Sequence, residues 1–148
     1  MLTRRHFFAA AAAATVTEGA FALEGKPAVM DSAVFDWTTI AAEPNAYGFK
    51  RSFFSARTAT LEALEVHATT LEAGRSPHPP HRHPNEEMLI VQKGTLEALY
   101  HGAWRRVGAG SVIFNASNQL HGVRNPGPEE AVYHVINWKT AATPAPLP

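Results

Sequence analysis

The sequence predicts an all-β domain, either a sandwich or a closed barrel, because both architectures limit exposed sheet edges. The chain has 148 residues, which is enough for one domain and too few for two. Its 10 glycines and 11 prolines stand mostly between short apolar runs, an arrangement typical of turns between strands. Roughly eight or nine such runs, each short enough for a strand, follow one another at close intervals.

The first part of the predicted fold, residues 23–60, is an extended arm with edge strands. The apolar patch Val34–Trp37 predicts one edge strand, and Lys50–Ser55 predicts a second strand. Leu61–Leu71 then opens the barrel itself, which we place at residues 61–139. Its β-branched residues favour a strand, although the Leu and Glu spacing in its first half also fits a helix.

The remaining strands follow a segment, Gly74–Pro84, in which four prolines exclude a regular helix and discourage a central strand. The pair His101-Gly102 between two strand-like runs predicts a hairpin. The Pro- and Ala-rich segment 140–148 is predicted to be disordered. The predicted strands, separated by turn residues, are Met88–Gln92, Thr95–Tyr100, Trp104–Val107, Ser111–Phe114, His121–Arg124 and Ala131–Trp138.

Composition excludes several classes of function. The 13 basic residues are balanced by 13 acidic ones, whereas a nucleic-acid binder would carry a basic excess or stripe. Cysteine is absent, so there is no disulfide framework, thiolate metal site or cysteine nucleophile. Any metal must therefore be held by nitrogen and oxygen ligands.

Residues 1–22 are predicted to be an export signal and are set aside from the fold. The pair Arg4-Arg5 comes first, an alanine-rich apolar stretch follows, and small residues precede a cleavage point near Ala22. The arginine pair followed by Phe7 resembles a twin-arginine signal. An amphipathic helix or a membrane anchor is the alternative, but the apolar stretch is shorter than the about 20 residues that span a bilayer. We therefore expect a periplasmic or secreted mature protein with no membrane segment.

Four residues with metal-binding side chains lie where one site can form. His81 and His83 are two apart, so in a strand both imidazoles point to the same face. Glu87 follows at the head of the next strand, where its carboxylate can swing back beside them, and His121 begins another strand. Three neutral imidazoles and one carboxylate suit a divalent Mn, Fe, Co, Ni or Zn ion. Mg and Ca fit less well because they prefer all-oxygen shells.

The segment Gly74–Gly94 resembles the first motif of the cupin superfamily. In that motif a glycine leads to His-x-His, then three or four residues, a glutamate, six residues and a second glycine. His83, Glu87 and Gly94 match this spacing, and Gly74 stands one residue further out than the usual leading glycine.

The second cupin motif resembles the segment that begins at Gly110. There a glycine, a proline, a second glycine, a histidine and an asparagine recur at set spacing. Gly110, His121 and Asn125 match, while Asn115 stands in the place of the proline and Asn118 in that of the turn glycine. Asparagine tolerates left-handed backbone angles better than most residues, so the turn can still form.

The resemblance implies a single-domain double-stranded β-helix, or jelly-roll barrel, and a possible homodimer. It assigns metal ligation to His81, His83, Glu87 and His121. The neighbouring Glu86 competes for the carboxylate role, but the six-residue gap to Gly94 favours Glu87, and opposite strand parity turns Glu86 outward. The alternative is a metal-free cupin in which the same histidines are only packed in a polar barrel.

The other polar candidates are expected to have structural roles. His78 lies among prolines and is expected to be solvated. His67 and His134 lie on strands whose inner face is not determined, and each is expected to be packed or at the surface rather than in the cavity. His101 is a hairpin-tip residue, and Asn125 is a turn residue or supports a ligand.

The candidate site indicates a metal-dependent enzyme acting on a small molecule, with a dioxygenase-type reaction favoured over isomerase, lyase or hydrolase chemistry. Such a metal can act as a Lewis acid, orient an enolate or activate water, and the fold does not choose among these. No second acid or base is identified, because no further carboxylate clearly points inward. The alternatives are a non-catalytic metal- or small-ligand-binding module and a metal-free sugar or effector binder.

Overall fold

The computed structural model describes residues 28–147. The described residues form strands and no helix, which confirms the predicted all-β class. Within this part of the chain no helix is long and apolar enough to cross a membrane. The strands are β1 (Glu43–Asn45), β2 (Gly48–Ala56), β3 (Ala63–Leu71), β4 (Glu86–Lys93), β5 (Thr95–Tyr100), β6 (Ala103–Gly108), β7 (Val112–Asn115), β8 (Val123–Arg124) and β9 (Ala131–Lys139).

The strands form two antiparallel sheets, which together make a jelly-roll barrel. The larger sheet has six strands in the order β1-β2-β3-β9-β4-β7, and the smaller has three in the order β6-β5-β8. An isolated antiparallel bridge between His81 and His121 continues the smaller sheet beyond β8. Since β4 belongs to the larger sheet, residues 81–87 carry the chain from one sheet to the other.

The inner face of the larger sheet changes from polar at one end to apolar at the other. Register places Glu65, Asn137, Glu87 and Asn115 in one row across β3, β9, β4 and β7. The opposite end holds the core, which includes residues buried almost completely: Leu71, Val91, Leu96 and Ala131. The buried residues at the apolar end stabilise the barrel. The polar side chains at the other end are available for a functional site.

The outer face of the larger sheet is covered by the arm that precedes β1. Trp37 packs against Phe53 and His134, with ring centroids 6.3 and 5.8 Å away. The Arg51 guanidinium lies 4.7 Å from the Trp37 ring centroid, a cation–π contact, and Arg51 also donates a hydrogen bond to the Ile40 carbonyl. Both faces of the second half of β3, from Ala68 to Leu71, are therefore largely shielded from water.

Two turns show why particular residues stand at their positions. His101 and Gly102 have φ values of 48° and 80°, the left-handed pair that a two-residue hairpin needs. Asn118 has a φ of 58°, so it fills the left-handed position for which the second motif usually carries glycine. Both turns agree with the sequence-based expectation.

The arm differs from its prediction. Val34–Trp37 forms no strand, because its aromatic side chains cover the sheet from outside, and the edge strand is β1 at Glu43–Asn45. Leu61–Leu71 contains strand β3, so its helical alternative is wrong. His81-Arg82-His83 is also no regular strand, since only His81 makes a bridge.

Two predicted segments lie at the ends of the chain. The export signal at residues 1–22 lies outside the described residues, so export and cleavage near Ala22 stay predictions. Disorder of residues 140–148 also stays a prediction. The structure brings Ala145 of that segment to the barrel, where the Asn118 Nδ2 donates a 2.9 Å hydrogen bond to its carbonyl.

Candidate metal centre

His81 and His121 are brought together by backbone pairing. The His81 N–H donates to the His121 carbonyl at 3.0 Å, and the His121 N–H returns a hydrogen bond of 3.1 Å to the His81 carbonyl. Directly opposed residues in an antiparallel pair project their side chains to the same face. Accordingly, the two ring centroids are 4.5 Å apart.

His83 is held beside them by a loop that is fastened to the turn before His121. The Asn118 N–H donates to the His83 carbonyl at 2.8 Å, and the Arg82 guanidinium donates to the Asn118 carbonyl at 2.8 Å. The Ser117 hydroxyl donates to the Pro84 carbonyl at 2.7 Å. These bonds replace the strand pairing that the prolines prevent, and they leave the His83 ring centroid 4.7 Å from that of His121.

Two of the imidazoles have their orientation set by backbone carbonyls. The Nδ1 of His83 lies 2.9 Å from the Asn85 carbonyl oxygen, and the Nδ1 of His121 lies 2.8 Å from the Gln119 carbonyl oxygen. In each pair Nδ1 carries the proton, so the lone pair stays on Nε2. This second hydrogen bond is the usual support of a metal-binding histidine.

Glu87 faces the same point from β4. Its Oε2 lies 3.8 Å from the His83 Nε2, and its Oε1 lies 3.8 Å from the His121 Nε2. Bonds of about 2.0–2.2 Å place two ligand atoms of one ion at most about 4.4 Å apart, so both spacings fit a shared ion. The neighbouring Glu86 points the other way and accepts a 3.1 Å hydrogen bond from the Trp138 indole.

The histidine cluster has the properties that a divalent ion requires. Potential ligand atoms of His81, His83 and His121 all lie within 4.8 Å of one another. The Nδ1 of His81 and the Nε2 of His121 are buried without a hydrogen-bond partner among the described residues, and such orphaned atoms are rare unless a ligand satisfies them. Burial, followed by neighbouring histidines, lowers the pKa of His81 to about 4, and burial also lowers the pKa of His121. Both rings are thus neutral near pH 7, as metal ligands must be.

The structure therefore assembles the four residues expected from the sequence, although their role as ligands stays a prediction. Three of them form a close histidine cluster, and Glu87 lies against two of these histidines. Strand parity correctly predicted the orientation of the two glutamates, because β4 turns Glu87 inward and Glu86 towards Trp138, while the choice of Glu87 as a ligand stays a prediction.

Asn115, which stands where the second motif usually has proline, supports Glu87. It lies opposite Glu87 in the β4–β7 register, and its Nδ2 donates a 2.9 Å hydrogen bond to the Glu87 Oε1. The contact fixes one carboxylate oxygen and leaves the other beside His83. No sequence signal pointed to this contact, because the pairing of β4 with β7 is needed to see it.

We expect Asn115→Ala to weaken the affinity for a divalent ion about 10–100-fold, the usual effect of removing a residue that orients a ligand. Zinc titration against a competing chelator measures the change. Gln92→Ala, which alters an exposed residue near the end of β4, is the control and should retain the parental affinity. An unchanged affinity in Asn115→Ala would contradict the supporting role of this contact.

A cavity of about 210 Å³ opens beside the histidine cluster. It lies below the range of about 300–1,000 Å³ found for drug-sized ligands, so it suits a small molecule. Its lining includes Glu87 and His121 together with several residues that sequence reasoning missed: Tyr47, Lys50, His67, Thr69 and Tyr133.

His67 was expected to be packed or at the surface, and the structure places it in the cavity wall instead. Its Nδ1 lies 3.0 Å from Glu65 Oε1. Leu71, which is fully buried at the apolar end of β3, could have revealed this placement. Residues that alternate back from Leu71 along the strand, namely Thr69, His67 and Glu65, share its inner face.

The remaining histidines largely follow expectation. His134 is packed on the outer face between Trp37 and Phe53, and His101 is at the hairpin tip. His78 is exposed, yet it lines the cavity and its ring centroid is 4.1 Å from that of His81. Asn125 is a buried turn residue, whose Nδ2 donates to the carbonyls of Leu71 and Glu129 at 2.9 and 2.7 Å.

The described residues form a jelly-roll barrel with a histidine cluster near one end of its cavity. This cluster is a candidate metal centre. Residues 67–137 match the family model described as Cupin_2, cupin domain. This part of the chain is therefore similar to the cupin domain family, in agreement with the jelly-roll fold.

Solved structures of other proteins have a similar fold. An RmlC-like cupin from Shewanella frigidimarina aligns with a TM-score of 0.60 and 15% identity, covering 75% of this chain and 95% of that one. The polyketide cyclase RemF from Streptomyces resistomycificus aligns with a TM-score of 0.60 and 20% identity, covering 74% and 80%. A predicted oxalate decarboxylase from Thermotoga maritima aligns with a TM-score of 0.58 and 17% identity, covering 72% and 99%. No curated protein sequence matches this chain.

Proposed function

We propose that this protein is a metal-dependent enzyme of small-molecule chemistry, with one divalent ion held by His81, His83, His121 and Glu87. The observation that carries the proposal is the convergence of three imidazoles, two of which have the Nδ1 tied to a backbone carbonyl. Packing alone gives no reason to leave the His121 Nε2 buried and without a partner, since burying an unpaired polar atom costs stability.

The ligand set and the cavity limit the chemistry that such a metal centre can perform. Imidazole nitrogen and carboxylate oxygen suit Mn, Fe, Co, Ni or Zn. When bound, the ion supplies Lewis acidity, which polarises a ligand oxygen or lowers the pKa of water. The protein's own part is to hold the imidazoles of His81 and His121 neutral, to orient Glu87 through Asn115 and to enclose a small molecule beside them.

The structural neighbours leave the reaction open. They include a polyketide cyclase and a predicted oxalate decarboxylase, and one fold hosts many chemistries. An enzyme acting on a small molecule is consistent with both. A dioxygenase-type reaction remains the first to test, with isomerase, lyase and hydrolase chemistry next.

The test begins with the metal. The full chain is reconstituted anaerobically with Fe, Mn, Co, Ni and Zn in separate samples, and the ion content is measured by elemental analysis. We expect about one ion per chain for at least one metal. A protein that retains none of the five would overturn the proposal.

Catalysis is tested on the loaded protein. Oxygen uptake is measured with catechols, flavonols and β-diketones, and product formation without oxygen is followed by NMR. Turnover that is lost after chelation and restored by the same ion supports the enzyme. Stoichiometric metal without turnover on any of these compounds would favour the alternative, a non-catalytic metal- or ligand-binding cupin.

A further inference from the structure

The two ends of the cavity have opposite chemical character. One end carries the histidine cluster and Glu87. The other end is the row formed by Thr69 and Tyr133, which are neighbours in the register of β3 and β9. The backbone of Lys50 lies in this row as well, but its side chain reaches back to Glu65, which is in the row of Glu87. The row of Thr69 and Tyr133 lies four residues along the strands from the row of Glu87, which is about 13 Å between backbones.

Lys50 is the one cationic side chain among the described residues that line the cavity. Its Nζ lies 3.3 Å from the Glu65 Oε1, and its side chain is 33% exposed. That distance is longer than the about 2.7–2.9 Å of a strong charge-assisted hydrogen bond. An ammonium group has three donors, so Lys50 retains donors for a ligand while Glu65 keeps it in place.

Glu65 also contacts the neighbouring His67. Its Oε1 lies 3.0 Å from the His67 Nδ1, so the same oxygen serves both Lys50 and His67. Burial, followed by the charge of Lys50, lowers the pKa of His67. The imidazole is therefore neutral near pH 7 and adds no second positive charge to this wall.

Hydroxyl groups complete the donor end. Tyr133 is 2% exposed, and burial raises the pKa of its hydroxyl above the ordinary value, so this group stays protonated. Thr69 is also 2% exposed and lies beside Tyr133 in register, and Tyr47 lines the same wall. An ammonium group in a cavity whose wall also carries hydroxyl groups is suited to a carboxylate.

We infer that the cavity binds a small carboxylic acid, with its carboxylate at Lys50 and a second oxygen directed to the histidine cluster. The inference rests on the proposed function and adds the class of substrate to it. The cavity volume of about 210 Å³ restricts the ligand to a small acid. A divalent ion outweighs the negative charge of Glu87, which makes the loaded cavity more favourable for an anion.

The test compares an acid with its neutral analogue. Pyruvate and pyruvamide have nearly the same shape, and both offer a keto oxygen, but only pyruvate carries a carboxylate. Binding of each to the zinc-loaded full chain is measured by isothermal titration calorimetry, with zinc chosen because it has no redox chemistry. We expect pyruvate to bind at least about 10-fold more tightly, the effect of one hydrogen bond to a charged group.

Three variants test whether Lys50 causes the preference for pyruvate over pyruvamide. Lys50→Met should reduce the ratio of the two affinities to less than about 3-fold, while Lys50→Arg, which keeps the charge, should retain most of it. His134→Gln changes a histidine on the outer face of the same sheet and should leave the ratio unchanged. Zinc content and the circular dichroism spectrum are measured for each variant, and the Arg and Gln variants keep the comparison valid if Lys50→Met folds poorly.

The outcomes separate the two proposals. Full zinc content with equal affinities for pyruvate and pyruvamide, or with no saturable pyruvate binding, overturns the carboxylic-acid inference and leaves the metal centre standing. A preference for pyruvate that survives Lys50→Met also overturns it, because the carboxylate would then be bound elsewhere. Failure to retain zinc or any other ion removes the proposed function, and this inference falls with it.

Discussion

His81→Ala is expected to lower the affinity for a divalent ion by more than about 100-fold, beyond the range typical of residues that only support a ligand. His81 brings an imidazole to the cluster through its bridge with His121, and its neutral state at pH 7 makes it available for coordination. The barrel should remain folded, because the core lies at the other end of the larger sheet. Elemental analysis after dialysis, together with thermal unfolding of the metal-free form, measures both effects.

His78→Ala is the matched control. It removes a histidine from the same loop, whose ring lies 4.1 Å from that of His81 but which is exposed and outside the cluster of ligand atoms. This variant should keep its metal. Full metal in His81→Ala, or equal losses in both variants, would mean that the ion is held elsewhere.

Gly48→Ala is expected to destabilise the fold by at least about 3 kcal/mol, because strain and a backbone clash act together. Gly48 has a φ of 138°, and an added Cβ would lie 2.2 Å from the Thr70 carbonyl oxygen. That oxygen belongs to β3, which pairs with β2 from Gly48 to Ala56 with one irregularity between Ser52 and Phe54. The clash can be relieved only by moving one strand. Equilibrium unfolding in urea measures the loss.

Gly102→Ala separates the clash from the backbone conformation. Gly102 also has a positive φ, of 80°, but its added Cβ would meet nothing within 4 Å. Only the left-handed backbone angle is then penalised, by about 1–2 kcal/mol. Equal destabilisation of the two variants would contradict the close approach of β2 to β3.

The strand pattern was predictable where one face of a strand meets water. Thr95–Tyr100 coincides with β5, and the turn at His101-Gly102 lies where the sequence placed it. On β3 the alternation is lost, because the arm with Trp37 covers the outer face while the cavity and core cover the inner one. Two shielded faces remove the hydrophobic contrast on which a period of two depends.

The candidate ligands were predictable because they lie close together in the sequence or belong to a sequence motif. His81, His83 and Glu87 lie within seven positions, and backbone parity alone turns Glu87 inward. The donor end of the cavity has no such local relation. Lys50, Thr69 and Tyr133 come from three strands, and only the register of β2 with β3 and of β3 with β9 brings them together.

The sequence by itself determined the all-β class, the turn positions and the nitrogen and oxygen ligands available to a metal. These properties depend on residue type and short spacing, which local backbone geometry translates directly into structure. Only the tertiary structure decided that Asn115 supports Glu87, that His67 faces the cavity and that Lys50 lines the same cavity as His121. Each depends on which strands pair and on which face the arm covers, and a shift of one residue in register would turn those side chains away from the cavity.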